Sequence, residues 1–177
     1  PDLKARFPGL TVVQGGSGRE QSDDLAALGS AMLVAIMVIY TLLATQLRSY
    51  LQPLIVLSSI PFGAGGAIIG HFLLGFDLSF ISIFGIIALS GVAVNGSLVL
   101  VDRYNFVRNT TDMSPLQAIE SATKRRFRAI FLTTLTTALG LLPMLLETSI
   151  QAQFLIPMAV SLATGVLFSS MVILFVV

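Results

Sequence analysis

The sequence predicts an all-α integral membrane protein with five transmembrane helices. Of its 177 residues, 55% are hydrophobic and only 11% are charged, and the mean hydropathy is +0.91. Soluble domains carry roughly 25% charged residues, so this chain cannot cover a globular surface with polar groups. A transmembrane helix needs about 20 apolar residues. The chain contains five apolar stretches of about that length.

The expected spans follow one another closely, except at one long polar connection between the third and the fourth. They cover residues 25–47, 53–76, 78–101, 129–146 and 154–177, so that the helix bundle occupies residues 25–177. Inside the connection, Ser114-Pro115-Leu116-Gln117 has the pattern of a capping box with Pro in the first turn. We therefore expect a cytoplasmic amphipathic helix at about residues 114–124.

Residues 1–24 are polar and differ from the rest of the chain. Leu10 to Val13 has the composition of a short strand, and a glycine-rich linker follows it. A disordered leader is the alternative interpretation. The chain starts with Pro1, lacks a signal-peptide pattern and stops within an apolar run. These features predict a piece of a longer polypeptide.

The distribution of basic residues predicts the orientation in the membrane. Six Lys or Arg residues lie in the connection 102–128, and Arg48 lies between the first and second spans. The positive-inside rule places both connections in the cytoplasm. Residues 1–24 then lie outside, because folded outer domains are translocated largely regardless of their charge.

Polar side chains within the spans are the candidates for function, because burying them in lipid is costly. Asn95 lies in the middle of the third span with Ser97 beside it, and Thr133 lies in the fourth. Helical spacing puts Asn95 on one face with Gly91 and Asp102. Such groups could relay protons, or they could form hydrogen bonds that hold helices together, and spacing alone leaves both readings open.

Two further features of the second span predict packing rather than chemistry. Gly66 and Gly70 form a small-xxx-small pair that lets a neighbouring helix approach closely. His71 is the sole histidine of the chain, and one His without other ligands makes a poor metal site. We expect it to form a hydrogen bond at a helix interface.

Several functional classes lack support in this sequence. There is no phosphate-binding glycine loop, paired carboxylate or nucleophile–base pair, so we expect neither an enzyme nor a bound cofactor. The chain has no Cys, and no metal site is expected. The net charge of +1 gives no indication of a nucleic-acid partner.

A long ordered series of motifs resembles the resistance–nodulation–division (RND) transporters, over about residues 8–177. The resemblance is to the hydrophobe/amphiphile (acriflavin resistance) efflux branch. Its motifs are Ile60-Pro61-Phe62-Gly63, Ser82-Ile83-Phe84-Gly85, Val94-Asn95-Gly96-Ser97, Leu132-Thr133-Thr134 and Gln153-Phe154-Leu155-Ile156-Pro157.

This resemblance implies a detailed role for the chain. The five spans would be helices eight to twelve of a twelve-helix transporter, and residues 1–24 would end its periplasmic porter domain. The implied activity is proton-driven antiport that exports amphiphilic compounds, energised by the proton-motive force. The implied partners are the N-terminal half of the same polypeptide, a homotrimer, a periplasmic adaptor and an outer-membrane channel. The implied location is the bacterial inner membrane.

The resemblance also implies candidate residues for a proton relay, to which Ser97 is added for its position beside Asn95. Asn95 falls where well-studied members have a Lys that pairs with carboxylates of the other half. Thr133 matches a relay Thr, and Arg126 matches an Arg seven residues before it. Asn cannot supply the positive charge of that Lys. Either the carboxylates work with Asn95 and hydroxyl groups alone, or the coupling is altered.

Two alternative functions remain open from the sequence. One is an RND-type transporter of another cargo, such as lipids. The other is a sterol-sensing-type regulatory membrane domain, which binds a ligand and does not pump. A carboxylate pair on the absent fourth helix would favour pumping over sensing.

Overall fold

The computed structural model describes residues 17–176, and all regular structure within that range is helical. The helices are α1 Ser17–Leu47, α2 Gln52–Leu57, α3 Ser59–Leu74, α4 Phe80–Thr110, α5 Pro115–Leu145, α6 Ile150–Gln153 and α7 Ile156–Val176. Within this range, five helical segments are long and apolar enough to cross a membrane, which confirms the prediction of five spans. The predicted strand at 10–13 lies outside the described residues.

The described residues fall into two units, 17–38 and 39–176. Within the described part of the first unit, α1 carries no buried side chain between residues 20 and 38. In the second unit, the end of α1 contributes Leu43 and Leu47 to a core cluster that includes Val56, Val94 and Val101.

The second expected span is divided into two helices. α2 ends at Leu57 and α3 begins at Ser59. Pro61 lies in the first turn of α3, where it has no N–H group to donate to the carbonyl of Leu57, so the helical hydrogen bonding is interrupted there. α2 and α3 together still make one segment long enough to span a membrane, Gln52–Leu74.

The turn between α3 and α4 is set by two terminal residues. Gly75 ends α3 with φ 72°, a left-handed conformation that favours glycine. Ser79 caps α4: its hydroxyl accepts from the backbone N–H of Ser82, and the Ser82 hydroxyl accepts from the backbone N–H of Ser79. This reciprocal capping box fixes the direction in which α4 leaves the turn.

The start of α5 agrees with the sequence, but its length differs. The capping box is confirmed, with Ser114 as N-cap and Gln117 as its partner. The sequence predicted that this helix ends near residue 124, but it continues to Leu145. Lys and Arg are good helix formers, and neither Gly nor Pro occurs from 116 to 139, so the basic cluster does not interrupt the helix. The amphipathic helix and the fourth span are therefore one helix.

The length of α4 and α5 matters for how they lie in a membrane. Each has 31 residues, which corresponds to about 46 Å of helix at the α-helical rise. The hydrocarbon core of a bilayer is about 30 Å thick. Both helices therefore extend well beyond one surface, at the end where their charged residues lie.

Helix α7 is the centre of the second unit and contacts α3, α4 and α5. Its neighbour α3 approaches through glycines: a Cβ atom added at Gly66 would collide with Phe168, and one at Gly70 would collide with Thr164. The glycine pair expected to serve helix packing thus lies at this contact. Small residues allow this close approach of backbones, which favours van der Waals contact between membrane helices.

Candidate functional site

Asn95 lies on an exposed face of α4. Its neighbours on that face, Gly91 and Asp102, are exposed as well, as helical spacing predicts. The same face contains the exposed apolar residues Phe84 and Val92. An amide in the middle of an apolar face needs a hydrogen-bonding partner, because lipid supplies none.

Thr133 and Arg126 are seven residues apart on α5 and so share one side of the helix. Thr133 is exposed, and its hydroxyl donates to carbonyl oxygens of its own helix, to Ala129 at 2.9 Å and to Ile130 at 2.9 Å. Arg126 is half-buried. Thr133 therefore satisfies its donor internally while its oxygen remains accessible.

Ser97 differs from the other candidates because it is buried, with 5% of its surface exposed. It follows Asn95 by two residues, which places the two side chains on nearly opposite sides of α4. Within residues 17–176, no hydrogen bond joins any two of Asn95, Ser97, Arg126 and Thr133. The four predicted relay residues are thus not gathered into one cluster by these five spans.

Hydrogen bonds between helices occur at positions that the sequence analysis did not single out. Thr134, next to Thr133, is buried and donates to the Ser170 hydroxyl of α7 at 2.7 Å. Gln52 of α2 and Asn105 of α4 exchange two amide hydrogen bonds, of 2.8 and 2.7 Å. The pairs lie 36 and 53 residues apart in the chain, so no local spacing pattern could have indicated them.

A double-mutant cycle tests the Thr134–Ser170 bond. We expect Thr134→Val and Ser170→Ala to be coupled by about 0.6 kcal/mol, the average for hydrogen bonds between membrane helices. The measurement is the free energy of unfolding of the two single variants and the double variant in mixed detergent. Thr136→Val is the control, because Thr136 donates only within its own helix. Strict additivity of the two effects would contradict the bond.

The most buried polar contact joins α3 to α4. His71 is 2% exposed, with Nε2 at 2.9 Å from the Ser82 hydroxyl and Nδ1 at 3.0 Å from the Ala67 carbonyl oxygen. The predicted interfacial hydrogen bond of His71 is confirmed. One turn along α4, Gly85 packs against Ser161 of α7, whose fully buried hydroxyl has no hydrogen-bond partner among the described residues.

The comparison with protein families covers nearly the whole chain. The model of the AcrB/AcrD/AcrF family matches residues 6–177. This chain belongs to the AcrB/AcrD/AcrF family. The RND resemblance drawn from the sequence is therefore confirmed at the level of the family. The five helical segments long and apolar enough to cross a membrane indicate a multi-pass membrane protein.

Solved structures with the same fold include a heavy metal efflux pump in two crystal forms. This AcrB/AcrD/AcrF-family chain matches crystal form II with a TM-score of 0.80 and 22% identity over 97% of its length. It matches crystal form I with a TM-score of 0.75 and 21% identity over 99% of its length. It spans 18% of the length of either pump chain. The chain therefore has the fold of the corresponding part of this efflux pump.

Proposed function

We propose that this chain belongs to the membrane domain of a proton-driven RND efflux pump that exports amphiphilic compounds. The observation that carries the proposal is the exposed amide of Asn95 in the middle of an apolar face of α4. Lipid offers no partner to an amide. Helices from the other half of a transporter offer a hydrogen-bonding partner if they carry ionisable groups at that depth.

The coupling in this proposal operates between two halves. A carboxylate of the N-terminal half of the polypeptide forms a hydrogen bond to Asn95 in one protonation state and releases it in the other. Thr133 and Arg126, on one side of α5, complete the path on this side of the interface, and Ser97 lies behind Asn95. Alternating access of this kind moves one repeat against the other around a site between them.

The location and partners form part of the same proposal. The pump lies in the bacterial inner membrane, with residues 1–24 in the periplasm and the connection 102–128 in the cytoplasm, because the basic residues concentrate there. It acts as a homotrimer with a periplasmic adaptor and an outer-membrane channel. It uses the proton-motive force, catalyses no covalent chemistry and holds no cofactor.

Export by the full-length transporter tests this function. Expression in an efflux-deficient bacterial strain is expected to raise tolerance to cationic dyes and detergents, and a protonophore is expected to abolish dye efflux within minutes. Asn95→Leu is the control for expression, because Asn95 is exposed on α4 and its replacement is expected to impair transport and not folding. Unchanged sensitivity over a broad panel of amphiphiles would contradict amphiphile export.

The same panel separates the alternatives. Tolerance limited to metal salts would indicate metal as cargo, as named for the similar pump structures. Within residues 17–176, no three His, Cys, Asp or Glu side chains come together as metal ligands. A change in membrane lipid distribution without drug tolerance would favour lipid cargo. Ligand binding without any transport would favour a sensing domain.

A further inference from the structure

His71 is the one ionisable side chain among the buried polar residues of the described chain. The others, Ser59, Ser82, Ser97, Thr134, Ser161 and Ser169, carry only hydroxyl groups. Ionisable groups within membrane spans are rare and usually serve ion or proton pathways. The relay residues proposed above do not include His71.

The partners of His71 define the proton positions on its ring. The Ala67 carbonyl oxygen, 3.0 Å from Nδ1, can only accept, so Nδ1 carries a hydrogen. In the neutral ring, Nε2 is then the acceptor, and the Ser82 hydroxyl at 2.9 Å donates to it. The Ser82 oxygen in turn accepts from the backbone N–H of Ser79 at 3.1 Å.

The same contacts also accommodate the protonated ring. Nδ1–H still donates to Ala67, and Nε2–H donates to the Ser82 oxygen once the Ser82 hydrogen turns away. The Ser79 hydroxyl lies 3.3 Å from that of Ser82 and can accept this hydrogen. No polar group loses its partner on protonation, because a hydroxyl group both donates and accepts.

The Ser79 hydroxyl connects this network to the end of the bundle. Ser79 is half-buried in the turn between α3 and α4. When the Ser79 oxygen takes up a proton from water, the original hydroxyl hydrogen of Ser79 passes to the Ser82 oxygen. The Ser82 hydrogen passes to Nε2 of His71, which gains an N–H bond and one positive charge. Each O–H bond that breaks in Ser79 and Ser82 is replaced by a new one, so only the His71 ring changes its protonation.

Few charged groups surround this network. α7 contains no ionisable residue. On α4, the ionisable side chains begin at Asp102, 20 residues beyond Ser82, or about 30 Å along the helix. At the turn end lie the exposed carboxylates of Asp77 and of Glu147, and Glu147 already accepts from the backbone N–H groups of Thr148 and Ser149. Asp77 is the carboxylate beside Ser79 in sequence.

We propose that His71 is a proton-binding site that is loaded from the α3–α4 turn through the hydroxyl groups of Ser79 and Ser82. In the proposed orientation this turn faces the periplasm, from which protons enter a pump driven by the proton-motive force. The site is separate from the Asn95 face. The role of this site in transport rests on the proposed function. Proton binding by His71 does not, since it can be measured without transport.

Infrared difference spectroscopy on the full-length transporter with isotope-labelled histidine tests the site. After acidification of the sample, we expect an imidazolium band that His71→Gln lacks. Ser82→Ala is expected to slow the appearance of this band about a hundredfold, because a positioned group no longer transfers the proton. Ser161→Ala removes a neighbouring buried hydroxyl group that is not part of the proposed proton route, and it is expected to leave the rate unchanged.

Each outcome bears on the proposal. An identical difference spectrum in wild type and His71→Gln would overturn the site, and an unchanged rate in Ser82→Ala would overturn the route. If His71→Gln fails to fold, the rate comparison of Ser82→Ala with Ser161→Ala still decides, because both retain His71. If the band behaves as expected while a protonophore leaves export unaffected, the proton-driven function fails and the proton site stands.

Discussion

Gly85→Ala is expected to destabilise the transporter by about 1–3 kcal/mol, the usual cost of overpacking a filled interior. The added Cβ would lie 2.5 Å from the Met158 carbonyl oxygen and 2.7 Å from the Ser161 Cβ. The carbonyl oxygen belongs to the backbone and cannot rotate away. α4 and α7 must therefore move apart, and α7 is the helix that α3 and α5 also contact. The midpoint of thermal unfolding in detergent measures the effect.

Gly96→Ala is the matched control on the same helix. A Cβ at Gly96 would lie 3.8 Å from Ile173 Cδ1 of α7, an ordinary van der Waals distance. Ala has a higher helix propensity than Gly, so we expect the unfolding midpoint of Gly96→Ala to remain unchanged or to rise slightly. Similar losses in the two variants would show that helix propensity or expression, and not the α4–α7 contact, determines the result.

Asn95→Leu is expected to reduce proton-coupled export by about 5- to 150-fold, the range that typical coupling free energies produce. Asn95 is exposed on α4, so the substitution leaves no cavity and no unpaired buried group in the described bundle. The loss should therefore appear in transport and not in folding. Substrate-driven proton flux in proteoliposomes, compared at equal amounts of folded transporter, measures it.

The control for Asn95 is Phe72→Leu, at a side chain on α3 that is 86% exposed. It changes an apolar surface residue away from the proposed path and is expected to keep wild-type flux. Normal flux in Asn95→Leu would remove the amide from the coupling scheme. A folding defect in Asn95→Leu would instead indicate that the amide holds the two halves together.

The number of spans could be read from the sequence because lipid selects for apolar length. The helix ends were predictable where a specific pattern marks them, as the capping box at Ser114 does. The continuation of α5 through Lys124 to Arg128 could not be predicted. The hydropathy pattern of a membrane span ends at charged residues, whereas an α-helix can continue through them. The division at Ser58 arises from Pro61, whose effect depends on its position relative to a helix start.

The candidate site was predictable only in part, for a geometric reason. Spacing on one helix correctly placed Asn95 with Gly91 and Asp102 on one face. The partners of a polar side chain on another helix depend on helix rotation and depth, which one-dimensional spacing does not contain. Ser82 therefore could not be assigned to His71 from the sequence, nor Ser170 to Thr134. The proposed chemistry of Asn95 depends further on residues in the N-terminal half of the transporter.

The central position of α7 has a consequence for biosynthesis. The glycine surface of α3 is complete at residue 74, whereas the helix that covers it ends at residue 176. At ordinary elongation speeds of roughly 5–20 residues per second, about 5–20 s separate the two events. During this interval the uncovered α3 surface lies open to lipid or to the insertion machinery. The packing of α3 against α7 in the bilayer must therefore await the emergence of α7 from the ribosome.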